Sequence, residues 1–231
     1  MTTPDLTTYR AVHVALREAA SRMAAAAGTL RVSDWRRIDA FARYWKGYAG
    51  EVLAHHTIED DTFFPALVER CPVAGDLIAR TDADHLHLDE LMTAVDGAVA
   101  ELQRGMGPGE LSELLGQLAV HMDEHLGFED EDILPLFERH FTGEEYDALE
   151  EAAQKALGIG KQAAFTVPFI LHWVDPAVAE DLITDAPVAF RVLYRLTRRR
   201  HERLGATALG SLAARTALRP AAAAAPVGVA A

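Results

Sequence analysis

Apolar residues recur at helical spacing along almost the whole chain, and no segment shows a convincing two-residue alternation. The pattern predicts an all-α fold. Leu6, Tyr9, Val12, His13, Leu16 and Ala20 form one stripe over residues 5–27, which Gly28 ends. Ser33-Asp34 supplies an N-cap for a second segment that runs to about Arg70, where Cys71 to Gly75 breaks the chain. A third segment covers Asp76 to Arg104. The run from Gly105 to Gly109 is the clearest turn, and a fourth segment continues to about His140. Pro65 and Pro135 sit near the ends of the second and fourth segments, and a kink is expected at each. Four such helices with short connections predict an up-down-up-down four-helix bundle over residues 1–140.

Further helices follow. Thr142-Gly-Glu-Glu145 has the form of a capping box that opens a fifth helix through about Leu157. Gly158 to Gly160 ends it, and an apolar stretch from Ala163 to Val174 with Pro168 inside is expected to dock on the bundle. Asp175-Pro176 and Asp185-Ala186-Pro187 read as two more helix starts. Residues 141–204 are therefore expected to be a helical extension packed on the bundle. Residues 205–231, rich in Ala and Pro, are expected to form a poorly ordered tail.

An internal repeat brings in chemistry. His55-x-x-x-Glu59-Asp60, followed by Phe63-Phe64-Pro65, matches His125-x-x-x-Glu129-Asp130, followed by Ile133-Leu134-Pro135, at an offset of 70 residues. Ala11-x-His13-x-x-Leu16 matches Ala83-x-His85-x-x-Leu88 at an offset of 72. The bundle is thus a duplicated helical hairpin. Each copy has a His on its first helix and a His-x-x-x-Glu on its second. Residues four apart share a helix face, about 6 Å apart along the axis. Because these faces lie in the apolar stripe, His13, His55, His85 and His125 converge with Glu59 and Glu129 in the bundle core. Buried carboxylates need compensation. Two divalent ions supply +4 against −2, and the residual positive charge favours a bridging hydroxide or another small anion.

Composition narrows the alternatives. The formal net charge of −13 argues against nucleic-acid and anionic-membrane partners. One cysteine, Cys71, rules out an intramolecular disulfide framework and a Cys-based zinc cluster. With no apparent signal peptide and no apolar run long enough for a membrane span, a cytoplasmic protein is expected. The arginines between 191 and 203 are expected to dock on the acidic bundle or stay solvated, and nothing in the sequence specifies an oligomeric state.

The combined motif resembles the hemerythrin-like, or HHE cation-binding, family over residues 8–140. It is carried by His13, His55-x-x-x-Glu59-Asp60, His85 and His125-x-x-x-Glu129-Asp130. The resemblance implies two non-haem irons with carboxylate and oxo or hydroxo bridges. It also implies binding of, or reaction with, O₂, NO or hydrogen peroxide, or sensing of iron or redox state without turnover. Catalase-like peroxide removal is one such activity. The stretch after 140 resembles the extension of many actinobacterial members. The chain departs from the oxygen carriers, which have a second third-helix His where Asp89 stands here. Their fourth-helix carboxylate corresponds to Asp130, whereas the internal duplication favours Glu129.

Helix direction places the neighbours. Tyr48, Asp89, Met92 and His121 lie toward one end of the histidine layer, which is expected to be the small-ligand pocket. Tyr48 and His121 are expected to tune the site or deliver protons there, with a fifth imidazole ligand as the other role for His121. Asp89 and Asp130 are further candidate ligands. His56, next to His55, points about 100° away and is expected on the flank, although it too is a candidate ligand.

Overall fold

The computed structural model describes residues 2–157, 160 and 162–214, and among them all regular structure is helical. The bundle comprises α1 (Thr7–Ala27), α2 (Trp35–Ile58) extended by α3 (Phe64–Arg70), α4 (Gly75–Gln103), and α5 (Gly109–Phe128) extended by α6 (Leu134–His140). The Asp34 carboxylate caps α2 by accepting the Arg37 N–H at 3.3 Å. Gly105 takes φ +95° in the turn after α4, a conformation that suits glycine.

Between α2 and α3, and again between α5 and α6, lies one π turn: Glu59–Phe63 and Glu129–Ile133. Each begins at the glutamate of the repeat and ends just before the residue preceding the proline. Pro65 and Pro135 lack an N–H, and their rings would crowd a carbonyl four residues back in a regular helix. The wider turn relieves both constraints, so the helix continues through the proline. π turns inside helices frequently mark functional sites.

The helical extension joins both ends of the bundle. α7 (Gly143–Leu157) opens with the capping box, in which Thr142 N–H donates to Glu145 at 2.8 Å and Glu145 N–H donates to Thr142 Oγ1 at 3.3 Å. It buries Tyr146 among Phe63, Phe137 and their neighbours. α8 (Ala163–Trp173), α9 (Pro176–Asp185) and α10 (Val188–Leu209) follow. Phe169 and Trp173 of α8 and Ala208 and Leu209 of α10 enter the core formed by α1, α2, α4 and α5. Close approach of α8 to α2 depends on Gly47, where an added Cβ would stand 2.4 Å from the Phe165 ring. Helix α10 runs past Gly205, so the tail expected from 205 onward begins as helix. Gly158, Ile159 and residues 215–231 lie outside the described residues.

Two apolar clusters result. The larger one includes Leu16, Tyr48, Val52, Leu88, Met92, Leu118 and Met122. The smaller one includes Leu6, Tyr9, Phe63, Phe64, Ile78, Phe128 and Phe137. On all four bundle helices the histidines and glutamates of the repeat fall between these clusters, as a polar layer sealed from above and below.

Candidate metal centre

His13, His55, Glu59, His85, His125 and Glu129 are all buried in that layer. His13 comes from α1, His55 from α2, His85 from α4 and His125 from α5. The two glutamates occupy the first position of each π turn. Each carboxylate faces two groups of imidazoles with its two oxygens. Glu129 Oε2 lies 3.4 Å from His13 Nε2 and 4.0 Å from His55 Nε2, while its Oε1 lies 3.5 Å from His125 Nε2 and 3.9 Å from His85 Nε2. Glu59 Oε1 lies 3.1 Å from His55 Nε2, and its Oε2 lies 3.5 Å from His85 Nε2.

These facing atoms do not satisfy one another. Nε2 of all four histidines, Glu59 Oε2 and both Glu129 oxygens are buried without a hydrogen-bond partner. A buried polar atom without a partner costs about 1–3 kcal/mol, and more when charged. Seven in one layer fit metal ions: imidazole nitrogens and carboxylate oxygens are the donors that divalent first-row metals take. Two donor groups lie within 4.8 Å: His13, His55, Glu59 and Glu129, and separately His56, His85 and His125.

The second group corrects the reading of His56. It is buried, with its ring stacked on His85 at a centroid separation of 3.8 Å, and both its nitrogens lack partners. The 100° step from His55 turns it toward the His85–His125 pair, so that adjacent residues of α2 enter different donor groups.

The opposite correction applies to Asp89, which is exposed. The buried stripe of α4 passes through Thr81, His85, Leu88, Met92 and Val95, so the inward position one turn after His85 belongs to Leu88. His121 also sits away from the layer. It lies in a surface groove with His87, ring centroids 4.3 Å apart, and beside Glu124 at 3.9 Å. Tyr48 is buried with no partner for its hydroxyl, packed against Trp45 and Phe169 in the larger cluster. The end expected to hold a ligand pocket is occupied by Tyr48, Val52, Leu88, Met92 and Met122.

Asp130 and Asp60 grip histidines from outside. Asp130 accepts from His13 Nδ1 at 2.8 Å and pairs with Arg17 at 3.0 Å, and Asp60 lies 3.1 Å from His85 Nδ1. These contacts orient both rings with Nε2 inward, the arrangement that positions metal-ligating histidines. Glu129, one residue earlier on the turn, points inward instead.

Two buried residues near the layer escape the repeat. Tyr9, one turn before His13, donates its hydroxyl to Glu59 Oε1, and its ring packs against those of His13 and His55 at 5.0 and 5.8 Å. Its spacing from His13 is the only signal the sequence offers. Glu51, one turn before His55, accepts from the Thr166 hydroxyl of α8.

Electrostatics of the chain without metal express the same requirement. Burial first, then the neighbouring histidines, pushes His55 well below its ordinary range and His125 to about 2. His56 drops to about 3 by burial and the charge of His85. Burial, then Glu59 and Asp130, raises Glu129 well above the usual carboxylate range. Burial alone would lower His85, but its contacts with Glu59 and Asp60 outweigh that and raise it. Asp130 is lowered because His13 and Arg17 outweigh its desolvation. Neutral imidazoles are the ligating form, so His55, His56 and His125 are ready for a cation, and the Glu129 carboxylate needs one.

The family model of the hemerythrin HHE cation-binding domain matches residues 5–137. The chain belongs to the hemerythrin family. The match ends just before α7, so the donor layer lies wholly inside the hemerythrin domain while α7 to α10 lie outside it. No curated protein and no solved structure gives a significant match. This hemerythrin domain is a metal-binding helical bundle. Among the described residues no helix is long and apolar enough to cross a membrane.

Proposed function

We propose that this protein holds two iron ions and uses them to bind or react with a small oxidant: hydrogen peroxide, O₂ or NO. The observation that carries the reading is that each buried glutamate presents its two oxygens to different imidazoles. One ion would lie among His13, His55 and the two glutamates. The other would lie among His56, His85 and His125, with Glu59 and Glu129 shared as bridges and an oxo or hydroxo group beside them. Histidine-rich, carboxylate-bridged donors suit iron. Bound iron would supply the redox chemistry and a coordination position for the oxidant.

The chain's own residues set the terms. Asp130 and Asp60 hold His13 and His85 in the ligating orientation. The Tyr9 hydroxyl keeps Glu59 Oε1 hydrogen-bonded beside the His13 and His55 rings. The apolar clusters on both sides exclude water, so a small uncharged oxidant enters more readily than a charged one. His56 would supply a fifth imidazole, from α2 rather than from α4. Cytoplasmic residence belongs to this reading and agrees with a single, buried, unpaired Cys71.

Mixing the iron-loaded protein with hydrogen peroxide and following O₂ evolution tests the enzymatic form. Sustained evolution supports peroxide removal. A single bleaching event without evolution supports binding or sensing. Stoichiometric zinc without iron in protein from iron-replete cells would overturn the redox reading.

A further inference from the structure

The arginine-rich helix α10 borders a cavity of about 810 Å³ between α2, α8 and α10. Its floor is apolar, formed by Ala40, Phe165 and Leu204, and its rim carries Arg43, Arg200 and Arg203. Tyr44, behind this cavity, lies eleven residues before His55 on α2, roughly 16 Å along the helix axis. The cavity is therefore separate from the metal layer. Its volume falls in the range of small-molecule sites, about 300–1,000 Å³.

His201 distinguishes this cavity from an ordinary surface cleft. It lines the cavity yet is 95% buried, walled by Phe165, Tyr44 and Phe169 at ring separations of 5.0, 5.8 and 6.2 Å. Its Nδ1 has no hydrogen-bond partner. The wall beside the cavity is thus aromatic, with the imidazole set edge-on or tilted among its neighbours. Two of the three rim arginines, Arg200 and Arg203, form no ion pair among the described residues. Arg43 is held by Asp39 at 2.8 Å, and Arg203 Nε donates to the Arg199 carbonyl at 3.1 Å. In a chain of net charge −13, guanidinium groups gathered around an apolar cavity form a local site for a negative group.

We infer that this cavity binds an apolar monocarboxylate, a hydrocarbon chain or ring carrying one carboxylate. The hydrocarbon lies on Phe165 and Leu204 beside the His201 ring, and the carboxylate reaches the guanidinium groups of Arg200 and Arg203. A multiply charged phosphate ester without an apolar body would leave the floor unfilled. This assignment is independent of the metal centre.

Calorimetric titration of the metal-loaded full chain with decanoate tests it, with decanol as the uncharged comparison. Decanoate is expected to bind one per chain at micromolar concentration, and decanol at least tenfold more weakly. The double variant Arg200→Gln/Arg203→Gln, altered only on exposed side chains, should weaken decanoate at least tenfold. Ala164→Phe, which fills the cavity, should abolish binding, and both variants should keep the wild-type metal content. No binding of decanoate at millimolar concentration would overturn the proposal. So would equal binding of decanol, or undiminished decanoate binding in the arginine variant.

Discussion

His56 stacks on His85 with ring centroids 3.8 Å apart and ring planes 14° apart, although the two residues come from different helices. The repeat does not extend to this contact: the position equivalent to His56 in the second half is Leu126, which is buried in the larger apolar cluster. Conversely, Tyr9 on the His13 side corresponds to Thr81 in the second half. The two halves thus supply a common set of histidines and glutamates and then diverge, giving one donor group an extra imidazole and the other a neighbouring phenol.

His56→Leu tests that asymmetry. Leu fits because its counterpart position already holds one, and the change removes one of three imidazoles from one side only. Iron per chain should fall from two toward one, with the His13 side retained. Unchanged iron content would show that His56 is not a ligand.

Asp130→Asn keeps the shape of the side chain but removes the charge that orients His13 and pairs with Arg17. Loss of such a supporting contact typically lowers metal affinity by about 10–100-fold. Titration with a competing chelator should show that drop, with both ions still bound at saturating iron. Glu129→Gln, by contrast, should lose both ions at any practical iron concentration.

Gly47→Ala probes the seat of α8. The added Cβ meets the Phe165 ring at 2.4 Å, and overpacking of this kind costs about 1–3 kcal/mol. The gain in helix propensity, about 1 kcal/mol, offsets only part of it. Thermal unfolding should therefore shift downward. Gly97→Ala, where nothing lies within 4 Å of the new Cβ, should shift it upward.

Glu150 on α7 gives a pH dependence away from the metal layer. Burial, then the charges of Asp147 and Asp5, raises its carboxyl to about 7 in the folded chain from an ordinary 4.5. The folded state therefore holds this proton more tightly. The associated stability is complete below about pH 4.5 and is lost as pH rises through 7. Glu150→Gln should raise the melting temperature at pH 8 and leave it unchanged near pH 4.5. An equal shift at both values would rule out this origin.

The helical stripes, the capping box and the duplicated His-x-x-x-Glu were legible because each depends on local spacing. That spacing was enough to bring His13, His55, Glu59, His85, His125 and Glu129 into one layer. Three placements were not legible. His56 turns inward because the donor layer has two groups side by side that adjacent residues of one helix can reach, which a single-face argument overlooks. Asp89 and His121 turn outward because the buried stripes of α4 and α5 advance by three residues as often as four, a choice made by the partner helices. The π turns follow from Pro65 and Pro135, but a proline alone specifies only a disturbance. The paired geometry of Glu59 with Asp60, and Glu129 with Asp130, emerges once the turn is widened.

The donor layer is expected to hold a pair of ions bridged by Glu59 and Glu129. Elemental analysis of protein made in iron-replete cells, beside the Glu59→Ala and Glu129→Ala variants, measures it most directly. The expected result is close to two irons per chain in the wild type and loss of both ions in either variant. A wild type with a single ion, or glutamate variants that keep their full metal content, would contradict it.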